Sequence, residues 1–255
     1  MLDTITDYDS LFSSGATVDE KADLALDAVR ALGFTSLIYD YSPVAFSPTG
    51  DLLTPSHLTL RDVPEDMRTL WCDHGYYQRD PVQSMASRMA APFIWSYRED
   101  ENPSALAGYM TDKHAPVARF LQDADLTHGI TVPIHLGRGD LATFTAIRRG
   151  AGRGFEREAH SALAACSLAG QMFHDSLFPL LDDRERQCAH VSLSPREREC
   201  LRYSAEGLTA KEIAYRLNRS IPTVTLHINS AIRKLGARNR THAVVLAHHY
   251  RLLDL

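Results

Sequence analysis

Two tryptophans and one aspartate in the first half of the chain could hold a small polar molecule. Asp80 lies nine residues after Trp71 and fifteen residues before Trp95. A carboxylate pairs with an amide N–H or an ammonium group, and indole rings bind cations or methylene groups on their faces. Each residue also has a structural explanation, because tryptophan is a common core residue and an aspartate before Pro81 is a common helix N-cap. Taken singly, the structural explanation is favoured.

The chemistry of common enzymes is absent from the sequence. It contains no G-x-S-x-G, G-x-G-x-x-G or Walker motif. The 12 histidines, including His248 and His249, show no metal spacing with paired cysteines or carboxylates. The four cysteines form no C-x-x-C pair, which indicates reduced thiols in the cytosol. We therefore expect no enzyme activity, no cofactor and no metal site.

Basic residues are concentrated in the last quarter of the chain. Residues 191–255 carry 11 Lys and Arg and 5 Asp and Glu, a net charge of +6, whereas the preceding 190 residues have a net charge of -11. Four helices are predicted there, opened by Ser194 and Thr209 in capping boxes, by Ser220 and by Thr241. A short helix, a tight turn and a second helix with a basic end are typical of a helix-turn-helix. A plain helical hairpin would explain the caps but not the arginines.

The first part of the chain mixes helix and strand patterns. Helices are predicted over 18–32, 65–74, 82–90, 116–125 and 155–177. Strands are predicted over 34–41, within 53–60, over 92–97, and as a hairpin of 129–136 and 141–149. An α/β fold with one central sheet between helices, an α-β-α sandwich, is the natural interpretation. Residues 1–175 would form this domain, 176–190 a linker, and 191–255 an all-α domain of four helices.

The segment from Leu193 to Val244, which begins LSPREREC, resembles the helix-turn-helix of LuxR-type transcriptional regulators. Glu197, Leu201 and Gly207 fall on positions that are nearly fixed in that family. The resemblance implies that 211–217 is the scaffold helix and that 222–235 enters the major groove. Many relatives have Arg or Lys at the positions of Pro222 and Thr225. The residues implied to meet bases or their flanks are Thr223, Thr225, His227 and Asn229, and those implied to meet phosphates are Arg219, Arg233, Lys234, Arg238 and Arg240.

The first domain is not a phosphorylated receiver, because Asp40 stands alone and no later strand ends in a suitable lysine. It resembles instead the autoinducer-binding domain of quorum-sensing LuxR proteins, through Asp80-Pro81-Val82, Trp95, Gly129 and Thr145. In that family the aspartate accepts a hydrogen bond from the amide of an acyl-homoserine lactone, the tryptophan packs on the head group, and the threonine contacts the amide end. At the family's spacing, these residues together favour a pocket.

Three positions depart from lactone-binding relatives. Met67 stands where they have a tryptophan whose N–H donates to the lactone carbonyl, Trp71 stands where they have tyrosine, and Val63 also replaces a tyrosine. Methionine has no donor, and a buried carbonyl without one costs about 1–3 kcal/mol. The pair Met67 and Trp71 resembles a "solo" subgroup from plant-associated bacteria, which implies a plant-derived ligand such as an ethanolamine derivative. Met67 could also be a gap-filling core residue.

The sequence therefore predicts a ligand-responsive transcription factor that binds an inverted repeat of double-stranded DNA as a homodimer. The absence of any run of 18 apolar residues and of a secretory signal predicts a cytoplasmic protein without a membrane span. One alternative is an ordinary acyl-homoserine lactone receptor with a rebuilt pocket. Another is an enzyme or a ligand-independent interaction module with a DNA-binding tail.

Overall fold

The computed structural model describes residues 11–98, 106, 108–137, 139–150, 154–188 and 190–253. The first ten residues of the predicted first domain and the last two of the second lie outside these ranges. Ten α-helices are defined over the described residues: α1 Val18–Ala31, α2 Met67–Cys72, α3 Tyr76–Arg79, α4 Pro81–Ala86, α5 Ala115–Asp123, α6 Phe155–Leu177, α7 Pro195–Ala205, α8 Ala210–Arg216, α9 Ile221–Lys234 and α10 Arg240–His249. The strands are β1 Ser36–Ser42, β2 His57–Arg61, β3 Phe93–Ser96, β4 His128–His135 and β5 Leu141–Arg148.

The five strands form one antiparallel sheet in the order β2-β1-β5-β4-β3. The hairpin β4–β5 is central, and its register places Thr131 opposite Thr145. Strand β1 continues the sheet on the other side of β5, with Ile38 opposite Thr145 and Asp40 opposite Thr143. Because side chains alternate along a strand, Ile38 and Asp40 share a face with Thr143 and Thr145.

Helices cover both faces of this sheet, which confirms the predicted α-β-α sandwich. One apolar core forms between the sheet and helices α1 and α6, and a second forms between the opposite face and helices α2 to α5. Close packing of α6 requires Gly170, where a Cβ atom would lie 3.0 Å from the Phe144 ring. The second core contains Met67, Trp71 and Trp95, so its chemistry differs from that of an ordinary aliphatic core.

The C-terminal part consists of the four helices α7 to α10. Ser194 and Thr209 form the two predicted capping boxes with Glu197 and Glu212, and Ser220 caps α9 through the N–H of Thr223. The buried face of α9 carries Val224, Ile228 and Ala231, which pack on α7 and α8. No helix in the described ranges is both long enough and apolar enough to cross a bilayer.

Several predicted element boundaries were wrong. The last helix is capped by Asn239, whose side chain accepts from His242 N–H, and Thr241 lies inside its first turn. The helices predicted over 65–74 and 82–90 are shorter, spanning Met67–Cys72 and Pro81–Ala86. The first of them has Asp73 as its C-cap, and Gly75, with φ 70°, is instead the N-cap of the unpredicted helix α3. Helix α6 spans Phe155–Leu177 as predicted, and its last two residues lie within the range 176–190 predicted as a linker.

Candidate ligand cavity and DNA-binding surface

A cavity of about 20 Å³ lies within the second core, against the face of the sheet that carries Ile38 and Thr145. Six of the seven residues predicted to bind a ligand line it, although they come from four separate segments. We call it the Asp80 cavity; its lining is Ile38, Met67, Trp71, Asp80, Val82, Gln83, Trp95, Leu121, Thr145 and Ile147. Its volume suits one water-sized molecule, so a larger ligand requires side chains to move.

Asp80 is at once the N-cap of α4 and part of the cavity wall. Its Oδ1 accepts from the N–H of Val82 at 2.8 Å and from the hydroxyl of Tyr97 at 2.8 Å. Trp71 lines the same cavity and also lowers the pKa of the carboxylate. Burial raises the pKa of Asp80 to about 6, and these hydrogen bonds oppose the shift. The structural and the ligand-binding explanations of Asp80 are therefore compatible.

A series of side-chain hydrogen bonds crosses the sheet beneath Trp95. The indole N–H of Trp95 donates to Thr131 Oγ1 at 2.9 Å, and Thr131 Oγ1 lies 2.9 Å from Thr145 Oγ1. Gly129, the cross-strand partner of Trp95, has no room for a side chain, because a Cβ there would lie 2.4 Å from the tryptophan ring. This close approach explains why glycine accompanies tryptophan at these two positions.

Met67 and Trp71 project from α2 into the cavity and are 0% and 2% exposed. Trp71 packs at a tilt on Tyr76 and Phe120, with ring centroids 5.6 Å apart in each pair. The methionine therefore lines the cavity with a side chain that has no hydrogen-bond donor. Val63 is partly buried against the same apolar core but does not line the cavity.

Sequence reasoning missed several residues of this site. Ile38, Gln83, Leu121 and Ile147 line the cavity, and Tyr97 contacts Asp80. Gln83 follows Asp80 closely, and its place on the inner face of α4 could have been predicted from helical spacing. The residues from β1 and β5 depend on strand pairing across distant parts of the chain.

A second buried carboxylate, Asp40, lies beside this site. It accepts hydrogen bonds from the hydroxyl of Tyr77 at 2.8 Å, from the hydroxyl of Thr143, and from the side-chain amide of Gln83 at 3.1 Å. Burial raises the pKa of Asp40 to about 6, against the lowering effect of these hydrogen bonds, and the charge of Asp80 raises it further.

The exposed face of α9 carries the predicted base-contacting residues. Thr225 and Asn229 are exposed, and Thr223 and His227 are half-buried at the edges of this face. Arg233 is exposed on the same helix, and Arg219 and Arg238 are exposed just before and after it. The arrangement presents short polar side chains flanked by cations, as major-groove recognition requires.

Two of the predicted phosphate-contacting residues have partners within the fold. Lys234 Nζ lies 2.8 Å from Glu197 Oε2, and Arg240 donates to the carbonyl of Leu208. Glu197 also accepts from Ser230 and from Ser194 N–H. Although burial alone would raise the pKa of Glu197, these interactions lower it to about 2. Glu197 therefore links the start of α7 to α9 and fixes their relative position.

Comparison with known proteins gives consistent matches to both halves. Residues 17–177 match the family model "Autoinducer binding domain", and residues 191–247 match "Bacterial regulatory proteins, luxR family". The chain is 29% identical to the transcriptional activator protein BjaR1 of Bradyrhizobium diazoefficiens over 250 residues, which cover 95% of each chain. It is 29% identical over 230 residues to the quorum sensing-dependent regulator RpaR of Rhodopseudomonas palustris, covering 86% of this chain and 82% of RpaR.

The same fold occurs in solved structures. SdiA in complex with octanoyl-rac-glycerol superposes with a TM-score of 0.58 at 19% identity, covering 98% of this chain and 95% of SdiA. Escherichia coli SdiA in the space group P6522 gives a TM-score of 0.55 at 21% identity, covering 94% of each chain. The curated relatives are transcriptional regulators and not enzymes.

Proposed function

The chain belongs to the LuxR family of ligand-responsive transcriptional regulators, and from that premise we propose that a small molecule bound in the Asp80 cavity controls promoter binding by a cytoplasmic homodimer. The observation that carries this proposal is the convergence of Met67, Trp71, Asp80, Trp95 and Thr145 on one buried cavity. A ligand that binds one arrangement of the protein better than another shifts the population toward it. We assign residues 1–175 to the sensor, 176–190 to the linker and 191–255 to DNA binding.

The effector is a plant-derived molecule of the ethanolamine-derivative type and not an acyl-homoserine lactone. Met67 supports this choice, because it lines the cavity where a lactone carbonyl would need a donor. Asp80 would hold the amide N–H of the effector, and Trp71 and Trp95 would cover its methylene groups. Thr145 and Val82 would contact the amide end, and Val63 would act through the core behind the cavity.

DNA binding uses one α9 helix from each subunit in successive major grooves of an inverted repeat. Asn229 would read adenine in a bidentate manner, and the methyl group of Thr225 would meet a thymine methyl. Thr223 and His227 would contact the flanks. The side chains of Arg219, Arg233, Lys234, Arg238 and Arg240 would approach phosphates, so binding should weaken steeply with salt.

Thermal melting of the purified full chain tests the effector class. We expect an ethanolamide-rich plant fraction to raise the melting temperature, since a ligand that binds the native state stabilises it by mass action. Asp80→Ala and Trp71→Ala should abolish this shift, whereas Asp123→Asn on the exposed side of α5 should retain it. Variants at Asp80 and Trp71 that respond like the wild type would refute recognition in this cavity.

The main competing function is that of an ordinary quorum-sensing receptor, and the similarity to the quorum sensing-dependent regulator RpaR favours it. In the same melting experiment, a panel of acyl-homoserine lactones would then raise the melting temperature and the plant fraction would not. A ligand-independent interaction module would respond to neither, and its affinity for DNA would be the same with and without every fraction.

A further inference from the structure

Two buried carboxylates lie on the same side of the sheet, and no basic side chain of the described residues donates a hydrogen bond to either of them. Asp40 is 0% exposed and Asp80 is 5% exposed. Within the part of the chain that the structure describes, the hydrogen-bond donors to both carboxylates are hydroxyl, side-chain amide and backbone groups, and none is a basic side chain. Buried carboxylates are usually paired with a cation, so this pair stands out from an ordinary core.

Gln83 connects Asp40 to the Asp80 cavity. Its Nε2 donates to Asp40 Oδ2 at 3.1 Å, and the side chain itself lines the cavity. Its Oε1 is buried, in a residue that is 3% exposed, and has no hydrogen-bond partner among the described residues. A buried amide oxygen without a donor is uncommon in folded proteins, because the lost hydrogen bond to water is not replaced. It points to a donor that arrives with a ligand.

Beyond the cavity, the face of the sheet that carries Ile38 and Thr145 becomes polar. Ile38 and Thr145 line the cavity as a cross-strand pair, and the next pair on the same face is Asp40 and Thr143. The apolar chain of a ligand, extended along this face, would be buried against the carboxylate of Asp40 and the amide of Gln83. A ligand whose chain has a positively charged end would find hydrogen-bond acceptors there, namely the Asp40 carboxylate and Gln83 Oε1.

We propose that the effector carries an amine at the end remote from Asp80, and that Asp40 binds this ammonium group after Gln83 swings aside. This inference rests on the proposed function and specifies its ligand further. Asp80 and Trp71 then hold the amide end, while Asp40, Tyr77 and Thr143 form the cation subsite. The oxygen of Gln83 accepts a second N–H of the same ammonium group.

The test compares ethanolamides of equal length that differ in one terminal group. The probes are the ethanolamides of 4-aminobutanoic acid, 4-hydroxybutanoic acid and pentanoic acid, titrated calorimetrically into the full-length protein. We expect the amine to bind roughly tenfold or more tightly than the methyl probe, with the hydroxyl between them, because a charge-assisted hydrogen bond exceeds a neutral one. Asp40→Asn should reduce the amine-to-methyl ratio to about one, and the charge-matched control Asp123→Asn should leave it unchanged.

The wild-type order of affinities is informative even if Asp40→Asn does not fold. Equal affinity for the amine and methyl probes, or an unchanged ratio in a folded Asp40→Asn protein, would overturn the inference. Octanoyl-homoserine lactone belongs in the same titration. If it binds more tightly than the amine, the cation subsite is refuted while small-molecule sensing stands. If all four probes fail to bind, the inference is refuted, and the melting experiment with the plant fraction decides the sensor function separately.

Discussion

At the scale of single residues, the site is built from groups that serve the fold and the cavity together. Asp80 caps α4 through Val82 N–H and also lines the cavity. Gly129 gives the Trp95 ring its space, and Thr131 fixes the orientation of the indole. Substitutions at these positions therefore alter stability and recognition together. Their effects on a ligand are interpretable only beside a measurement of unfolding.

The titration of Asp40 predicts a pH dependence of stability. Its pKa rises from 3.8 to about 6 on folding, so the folded state binds the proton more tightly than the unfolded state. The stabilisation is complete below about pH 4 and is lost as pH rises through about 6. We expect urea unfolding to show that Asp40→Asn reduces the fall in unfolding free energy between pH 4 and pH 8 by about 2–3 kcal/mol. Equal falls in the wild type and the variant would contradict this assignment.

At the scale of elements, the caps determine where the helices begin. Asn239 Oδ1 accepts from His242 N–H at 2.8 Å, whereas Thr241 lies exposed in the first turn of α10. We expect Asn239→Ala to lower the free energy of unfolding by about 1 kcal/mol, as is usual for loss of an N-cap. Thr241→Ala, the matched control, should change it by less than about 0.5 kcal/mol. Denaturant unfolding that ranks the two variants in the opposite order would refute this cap.

We predict that different side chains of helix α9 recognise bases and contact phosphates. Asn229→Ala should weaken binding to a duplex selected from a random pool by about 1–3 kcal/mol and relax the preference at one base pair. Arg233→Ala should weaken binding to the selected duplex and to an unrelated duplex alike. It should also reduce by about one the slope of log affinity against log salt concentration. Fluorescence anisotropy over a salt series measures both effects. A uniform loss for Asn229→Ala would exclude base recognition by this side chain.

Strong local signals made part of this structure predictable from the sequence. The bounds of α6 were predicted in full, and the β4–β5 hairpin and the capping boxes of α7 and α8 were also confirmed. Each depends on residues that are close in the chain. The cavity residues named by resemblance converge, but Asp40 and Gln83 meet only because β1 pairs with β5 beneath α4. Local sequence patterns contain no information on the contact between Asp40 and Gln83.

At the scale of the whole molecule, the two halves share an apolar cluster. Val44 and Leu53 from the loop after β1 lie in one cluster with Leu201, Leu246 and Tyr250 from the helical half. His249 Nε2 also lies 2.9 Å from the carbonyl of Phe46, and Arg251 forms an ion pair with Asp140. These contacts connect the sensor to the DNA-binding helices through packed side chains, a physical path for coupling between the two sites.

This shared cluster predicts how the protein melts. We expect one calorimetric transition for the wild type, because unfolding of either half exposes the apolar surface of the other. Leu53→Asp should place a charge in the cluster and separate the trace into two transitions. The same change at Leu180, which is 38% exposed, should leave a single transition. Two transitions in the wild type would show that the halves are energetically independent.

Control of DNA binding by the effector is tested most directly by measuring promoter affinity as a function of effector occupancy. The full chain, a duplex selected from a random pool and the ethanolamide of 4-aminobutanoic acid are combined in one fluorescence anisotropy titration, with Asp80→Ala beside the wild type. We expect the probe to change the Kd for the duplex by about fivefold or more in the wild type, a typical allosteric coupling. We expect no change in Asp80→Ala. A wild-type Kd that is the same with and without saturating probe, or an equal change in Asp80→Ala, would contradict this control by the effector.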